Sequence, residues 1–403
     1  MKILIVNKFL YPNGGSETYI FNLGKQLEAM GHQVQYFGME HEGRIVGNHA
    51  QVYTSNMDFH SGKLQKLLYP LRIIYSREAK KKMRAVLEDF RPDAVHLNNI
   101  NFQLTPSVIY AVREYEKREG KHIPILYTAH DYQWVCPNHM MRVPEDGRIC
   151  FDCRGGDFKQ CVRNRCIHNS KVKSLLGCLE ATYYAKRKTY GLVDVIICPS
   201  IFMKNQLDTD PLLAEKTVML HNFIDPATEI PQKKTGDYVL YFGRYAQEKG
   251  TLTLLKAASE LPDIPFVFAG TGPLEKEVDQ TANVTNKGFV TGHKLQELIA
   301  EARFSVYPSE WYENCPFSVM ESQIYETPVL ASDLGGSGEL LQAGRTGELF
   351  RGGDAEELKE HIRRLWDDPE LCRQYSENCR GTNFDTAQTY CAKLLGMIEQ
   401  AKA

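Results

Sequence analysis

Short apolar runs alternate with amphipathic segments along the first half of the chain. Lys2–Val6 is the first run, and residues 16–30 carry Ile20, Leu23 and Leu27 at the spacing of one helix face. Because the apolar runs are short and rich in β-branched residues, we interpret them as buried strands. The alternation of strands and helices predicts a parallel, doubly wound sheet. The further strands are predicted at residues 32–38, 94–98, 123–128, 193–199 and 217–221.

The same alternation restarts after a polar segment that contains two prolines, residues 225–237. Predicted strands follow at 238–242, 266–269, 305–308 and 328–332, and predicted helices at 250–260, 295–302 and 316–326. The sequence therefore predicts two α/β domains, residues 1–222 and 238–384, joined by a linker at 223–237 and followed by a last helical segment, 385–403. In such sheets, ligands bind beyond the carboxyl ends of the strands.

Composition and charge narrow the class of protein. A chain of 403 residues with 43% hydrophobic and 24% charged residues is typical of a folded protein with more than one core. A net charge of −2 argues against a nucleic-acid partner. The first apolar run is too short for a secretory signal, and we see no segment that spans a bilayer. We therefore expect a cytoplasmic protein whose 11 cysteines are mostly reduced.

Two glutamates flank a predicted helix start in the segment YPSEWYENCPFSVMESQ. Glu313 follows a strand, Pro316 suits the first position of a helix, and Glu321 lies more than one turn inside it. The free N–H groups of such a helix start suit a diphosphate. A capping glutamate and a solvent-facing glutamate remain the alternative interpretation. The three residues predicted to present these N–H groups are Phe317, Ser318 and Val319.

Cations and glycines follow other strands. Arg244 and Lys249 come after the first strand of the second domain, where they either bind a diphosphate or are ordinary surface cations. Gly15, after the first strand, and Gly270, in the run FAGTGP, let the backbone approach a ligand closely. Neither run is a dinucleotide fingerprint or a P-loop.

His130 ends the predicted strand ILYTAH and precedes Asp131. An imidazole at this position would exchange a proton near neutral pH if it serves a reaction. The alternative is a histidine that only packs at the domain surface. We favour the functional interpretation because several other polar signals fall at matching strand ends.

The order of these motifs carries a family resemblance. GGSE, HDYQWVCPN, NFID, GRYAQEKG, AGTGP, ENCPFSVME and GGSGEL follow one another as in the family-4 retaining glycosyltransferases of the GT-B fold, over essentially the whole chain. The resemblance implies two Rossmann-like domains that face each other across an interdomain cleft. It implies an acceptor-binding first domain, a second domain that binds the nucleotide sugar, and a last helix that packs back on the first.

The resemblance also implies roles for individual residues. Glu313 would contact hydroxyls of the donor sugar, and Glu321 would hold the ribose of the nucleotide. Arg244 and Lys249 would clamp the diphosphate. Gly15 would belong to a loop over the phosphates, and His130 would lie near the anomeric carbon of the sugar.

The resemblance thus implies metal-independent transfer of a sugar, with retention, from a nucleotide diphosphate sugar to a hydroxyl acceptor in bacterial polysaccharide, glycolipid or other glycoconjugate synthesis. A GT-B sugar epimerase and a non-catalytic, zinc-bearing binding protein stay open as alternatives.

A cysteine-rich insert at about residues 136–170 departs from many members of that family. Cys150, Cys153, Cys161 and Cys166 fall within 17 residues of a polar, glycine-rich segment, and Cys136, His139 and His168 lie close by in sequence. Four thiolates around a structural Zn²⁺ would order such a loop, and we favour this interpretation. A loop of reduced thiols is the alternative, and an iron–sulfur cluster is a more distant one.

Basic residues surround this insert, and another basic stretch, LRIIYSREAKKKMRAVL, precedes it. They predict either contact with anionic lipid, which would bring a lipid-linked acceptor to the inner face of a membrane, or solvated helix faces. The basic residues near the insert are Lys159, Arg163, Arg165, Lys171, Lys173, Lys186, Arg187 and Lys188.

Overall fold

The computed structural model describes residues 1–55, 72–226 and 236–402, and these divide between two compact units. The first unit is Met1–His221 together with Ala387–Ala403, and the second is Asn222–Thr386. The last segment of the chain therefore belongs with the first unit. Residues 227–235 of the predicted linker, and Leu71 of the basic stretch, lie outside the described residues.

Within its described residues, the first unit contains a parallel sheet of six strands in the order β2-β1-β3-β4-β5-β6. Most of these strand residues are buried, which explains their continuous apolar runs, because helices cover both faces of a doubly wound sheet. The strands are β1 (Lys2–Val6), β2 (Gln33–Phe37), β3 (Ala94–Leu97), β4 (Ile125–Thr128), β5 (Val195–Cys198) and β6 (Thr217–Met219).

Helices connect these strands, and the last helix of the chain completes the first unit. The Tyr390 hydroxyl lies 2.8 Å from the Tyr19 hydroxyl, and both side chains are fully buried. The helices of this unit are α1 (Gly15–Ala29), α2 (Arg77–Phe90), α3 (Ser107–Glu119), α4 (Lys159–Arg163), α5 (Lys171–Lys186), α6 (Ile201–Leu207), α7 (Pro211–Ala214) and, after the second unit, α14 (Ala387–Lys402).

The second unit repeats the parallel α/β pattern, with six strands among its described residues in the order β12-β11-β10-β7-β8-β9. Its strands are β7 (Val239–Phe242), β8 (Phe266–Ala269), β9 (Val284–Asn286), β10 (Phe304–Tyr307), β11 (Val329–Ser332) and β12 (Gly347–Phe350). Its helices are α8 (Thr251–Ser259), α9 (Glu275–Asp279), α10 (His293–Glu301), α11 (Phe317–Ile324), α12 (Ala355–Asp367) and α13 (Pro369–Cys379). The two doubly wound α/β units confirm the predicted fold class.

The basic stretch at α2 differs from the membrane-contact interpretation. Its apolar residues, among them Met83, Val86 and Leu87, are fully buried in the first unit. Lys80 and Arg84 both pair with Glu114 of α3. Because the apolar face is covered and these cations are neutralised, α2 is a solvated helix face. None of the described helices has the length and apolar composition that crossing a membrane requires.

Candidate active site

A partly buried ion pair joins the loops that follow β7 and β10. Lys249 ends a short 3₁₀ turn after β7, and its Nζ lies 2.5 Å from Oε1 of Glu313, which is 9% exposed. Strands β7 and β10 are paired in parallel, so their carboxyl ends lie at the same edge of the sheet. This edge brings together two residues that are 64 positions apart in sequence.

Three donors converge on a single oxygen of Glu313. Besides Lys249, the Ser309 hydroxyl lies 3.1 Å from Oε1 and the indole N–H of Trp311 donates to the same atom. Burial alone would raise the pKa of the Glu313 carboxyl. The charge of Lys249 and the hydrogen bonds from Lys249, Trp311 and Tyr307 outweigh burial, so the pKa lies below its ordinary value. Glu313 is therefore a fixed carboxylate.

The backbone at this edge is packed tightly. Gly250 follows Lys249 at a φ of +70°, and a Cβ there would lie 1.7 Å from the carbonyl oxygen of Pro308. The N–H of Gly336 donates to the carbonyl of Glu313 at 2.7 Å. These contacts hold both halves of the ion pair on rigid backbone, which a pre-organised site requires.

Helix α11 begins beside this pair without a side-chain cap. Pro316 is its N-cap rather than its first helical residue, and the N–H groups of Phe317 and Ser318 have no carbonyl partner within the helix. The N–H of Val319 donates to the carbonyl of Pro316 at 3.2 Å, which differs from the predicted three exposed donors. Two N–H groups and the positive end of the helix dipole remain for an anion.

Glu321 differs from Glu313 in its surroundings. It lies in the second turn of α11, partly buried, and within the described part of the chain its carboxyl forms no hydrogen bond. Burial raises the pKa of Glu321 to about 7. Two carboxyl groups whose environments move their pKa values in opposite directions suit two different roles.

Arg244 is an exposed cation in the loop after β7. Its carbonyl accepts a hydrogen bond from the Tyr241 hydroxyl at 2.8 Å, whereas its guanidinium forms no ion pair or hydrogen bond with any residue that the structure describes. Arg244 is thus available to an anionic ligand. Lys249, by contrast, already neutralises Glu313, which the sequence alone did not indicate.

Gly270 lies where the loops after β7 and β8 touch. A Cβ at this position would lie 1.8 Å from the carbonyl oxygen of Gly243. Loop packing alone therefore requires a glycine here, whether or not a ligand approaches.

The Gly270→Ala variant is expected to lose about 1–3 kcal/mol of stability, because the added methyl group forces the two loops apart. Gly396→Ala is the matched control: Gly396 is helical in α14 with nothing within 4 Å of a Cβ, so alanine there should be neutral or stabilise by about 0.5–1 kcal/mol. Thermal unfolding of both variants provides the measurement. Equal melting temperatures for the two variants would refute the packing explanation.

In the first unit, Gly15 and His130 lie at one edge of the sheet. Gly15 is the first residue of α1, and His130 follows β4, with its Nε2 2.9 Å from Oδ1 of Asn98. The ring of His130 also meets the Tyr19 ring edge to face at 5.1 Å between centroids. Glu17, in the first turn of α1, is 2% exposed and accepts from the Asn7 side chain at 2.9 Å.

His130 does not match the expected proton exchange near neutral pH. Burial lowers the pKa of the imidazole to about 4, despite the opposing charge of Asp131. The ring is therefore neutral at pH 7 and, since Asn98 offers its carbonyl oxygen, Nε2 carries the hydrogen. Any role of His130 is that of a neutral hydrogen-bonding group.

Four side chains at these two edges were missed as functional candidates. Ser309 and Trp311 fix Glu313, and Asn98 and Glu17 fix the region around His130 and α1. Trp311 and Glu17 lie inside the motifs quoted above, each two residues from a predicted site residue. This proximity in sequence could have identified them.

Five cysteines of the insert line one cavity of about 10 Å³: Cys136, Cys150, Cys153, Cys161 and Cys166. The thiol of Cys161 donates to Cys166, which raises the pKa of Cys161 and lowers that of Cys166. Three of the five pack with Phe158, Cys178 and Ala181 as a small apolar core. Across the described ranges, no three Cys, His, Asp or Glu side chains are arranged to hold a metal ion. The five thiols share one cavity, and the zinc interpretation stays a prediction from sequence.

Addition of a zinc chelator is expected to lower the melting temperature, because four thiolates around Zn²⁺ would supply the order of this glycine-rich insert. Thermal unfolding with and without chelator, together with elemental analysis of protein purified in its absence, makes the test. We expect about one zinc per chain, whereas an unchanged melting temperature and protein without metal would assign the cysteines to reduced, packed thiols.

Comparisons with known proteins follow the same division of the chain. A family model described as Glycosyltransferase Family 4 matches residues 13–228, and one described as Glycosyl transferases group 1 matches residues 225–382. An alpha-D-kanosaminyltransferase from Streptomyces kanamyceticus is 32% identical over 151 residues, which are 35% of this chain and 39% of that enzyme. The chain thus aligns with well under two thirds of that relative.

Two solved structures share the fold over almost the full chain. Sucrose-phosphate synthase from Thermosynechococcus elongatus superposes with a TM-score of 0.69 at 16% identity, covering 99% of this chain and 98% of the other. The Anabaena protein HepE, in complex with UDP, gives a TM-score of 0.65 at 17% identity, covering 98% and 100%. At this identity the similarity establishes the GT-B fold.

Proposed function

Because this chain belongs to glycosyltransferase family 4, we propose that it transfers a sugar from a nucleotide diphosphate sugar to a hydroxyl group of an acceptor, in the synthesis of a polysaccharide, glycolipid or other glycoconjugate. The observation that carries the proposal is the Lys249–Glu313 ion pair at the carboxyl edge of a parallel sheet. The UDP bound by the Anabaena protein supports a nucleotide donor.

We assign the donor to the second unit. The exposed guanidinium of Arg244 and the uncapped start of α11 offer two kinds of positive potential to a diphosphate. Glu321, the carboxyl without a protein partner among the described residues, is assigned to the ribose hydroxyls. Glu313, the fixed carboxylate, is assigned to hydroxyls of the sugar. The acceptor is assigned to the first unit.

The proposed reaction breaks the bond between the anomeric carbon and the diphosphate while the acceptor oxygen bonds to that carbon. Negative charge grows on the leaving diphosphate, and fixed cations stabilise it more in the transition state than in the ground state. Lys249 and Arg244 supply this charge, so we propose that no catalytic metal takes part. The proton of the acceptor hydroxyl passes to an oxygen of the leaving diphosphate.

We further propose that the reaction retains the configuration of the sugar. Glu313 is engaged on Oε1 by Lys249, Ser309 and Trp311, which makes it a positioning acceptor rather than a nucleophile. Attack by the acceptor on the same face from which the diphosphate leaves is the route that this arrangement favours.

Incubation with radiolabelled nucleotide sugars and a membrane extract tests the function. We expect label to enter an extractable glycoside for one donor, with release of an equal amount of nucleoside diphosphate. Appearance of an epimeric sugar without an acceptor would indicate a sugar epimerase. Binding of nucleotide without any turnover would indicate a binding protein.

We also propose that the acceptor is carried by a lipid, so that the chain works at the inner face of a membrane. The support is the basic segment around the insert, from Lys159 to Lys188. Polybasic segments are attracted to the anionic lipid of that leaflet.

A further inference from the structure

We propose that the outward face of α5 is a docking surface for an anionic membrane. Val172, Leu175 and Leu179 lie at helical spacing on this face and are 70%, 48% and 47% exposed. Three large apolar side chains in one exposed stripe differ from the scattered exposed residues of an ordinary surface. This inference deepens the proposed function, since it names the surface that would meet a lipid-linked acceptor.

The rotation of α5 about its axis is fixed by close packing. Its opposite face carries small residues, Ser174, Gly177, Cys178 and Ala181, all of which are buried. A Cβ on Gly177 would lie 2.5 Å from Cδ1 of Ile167 in the cysteine-rich insert. Because the small face is held against the insert, the apolar stripe points outward.

Unpaired cations stand at both ends of this stripe. Lys171 precedes the stripe, Lys173 follows its first residue, and Lys186, Arg187 and Lys188 come after it, all exposed. Within residues 72–226, none of the five forms an ion pair with a carboxylate. The one acidic residue of the helix, Glu180, is 1% exposed, and burial raises its pKa to about 8, so that it is mostly protonated at pH 7.

Apolar side chains between clusters of unneutralised cations suit a surface of anionic headgroups over acyl chains. A protein partner with an acidic groove would also bind these cations. The apolar stripe beside them, however, matches the boundary between charged headgroups and acyl chains in a membrane. Helix α2 supports the choice by contrast, because its apolar residues are covered and Lys80 and Arg84 are paired. Of these two basic helices, α5 is therefore the one that exposes apolar side chains next to cations without carboxylate partners.

Flotation with vesicles tests the surface. The full chain is expected to bind vesicles of phosphatidylcholine that contain about one third phosphatidylglycerol, and to bind pure phosphatidylcholine at least about tenfold more weakly. A triple variant, Val172→Ser, Leu175→Ser and Leu179→Ser, should lose about tenfold or more. Ile45→Ser, which changes an isolated apolar residue that is 60% exposed, should bind as the unchanged protein does.

Two outcomes would overturn the inference: equal binding to both kinds of vesicle, or unchanged binding by the triple variant. A triple variant that changes only the oligomeric state by light scattering would assign the stripe to a second copy instead. Melting temperatures confirm that the variants are folded. Transfer to a water-soluble acceptor should be unaffected by the triple variant, so failure of the membrane surface and failure of the proposed transferase give different results.

Discussion

Replacing Lys249 with alanine is expected to lower the turnover of sugar transfer by about 100- to 1,000-fold at saturating donor. The variant removes a positive charge from the leaving diphosphate and also releases Glu313 from its ion pair. Glu313→Gln should lose transfer to a similar extent while nucleoside diphosphate binding stays nearly intact, since its partner is the sugar. Steady-state kinetics and calorimetric titration measure the two effects.

The pair should act as a unit. The double variant is expected to be no worse than the poorer single variant, because each change already breaks the same interaction. Lys256→Ala is the matched control: this lysine of α8 is 59% exposed on its side chain and pairs with Glu356 on the surface. If Lys249→Ala raises only the KM for the donor and leaves turnover unchanged, the leaving-group role is wrong.

Nucleotide binding is expected to strengthen as the pH rises through about 7, in step with Glu321. Burial raises the pKa of this carboxyl to about 7, and ribose hydroxyls donate best to the ionised form. Below that pH the nucleotide must therefore displace a proton. Glu321→Gln should weaken binding by about 1.5–3 kcal/mol at pH 8 and should remove the pH dependence that belongs to this group. Calorimetric titration at several pH values makes the measurement.

The folding stability of the nucleotide-free protein should change with pH in the opposite direction: the contribution of Glu321 to it falls as the pH rises. A carboxyl whose pKa is higher in the folded state than in the unfolded state contributes fully to folding stability at a pH below its unfolded pKa. For Glu321 this contribution to stability is lost as the pH rises through about 7. Glu321→Gln should therefore gain stability over the parent at pH 8 but not at pH 4. Glu356→Gln, on the surface, should leave nucleotide binding unchanged. Equal losses of nucleotide affinity in the Glu313 and Glu321 variants would contradict the division of roles.

Periodicity predicted much of the fold because most strands are buried on both faces. β1 and β8 have the predicted bounds, and their residues are continuous apolar runs. β9 was missed because it has only three residues, of which just Val284 is apolar and none is fully buried. β12 was missed because it begins with Gly347 and Glu348. Strand order depends on contacts between distant segments, which local patterns do not contain.

The sequence predicted several residues of the candidate site, but it did not predict the contacts between them. Strand ends and glycines marked Lys249, Glu313 and Gly270, since these features are local. The ion pair, the three donors on Glu313 and the loop contact at Gly270 depend on which strands are neighbours. The lowered pKa of His130 is not evident from sequence for a similar reason, since the ring contacts Tyr19 and Asn98, which are distant in sequence.

Proton NMR of one purified reaction tests whether the transfer retains the configuration of the donor sugar. With the donor and acceptor identified by radiolabelling, the anomeric proton of the product is followed while nucleoside diphosphate is released. We expect a new glycoside with the configuration of the donor, formed at the rate of nucleoside diphosphate release and lost in Lys249→Ala. A glycoside of inverted configuration, or a free sugar formed without acceptor, would refute the proposed retaining transfer.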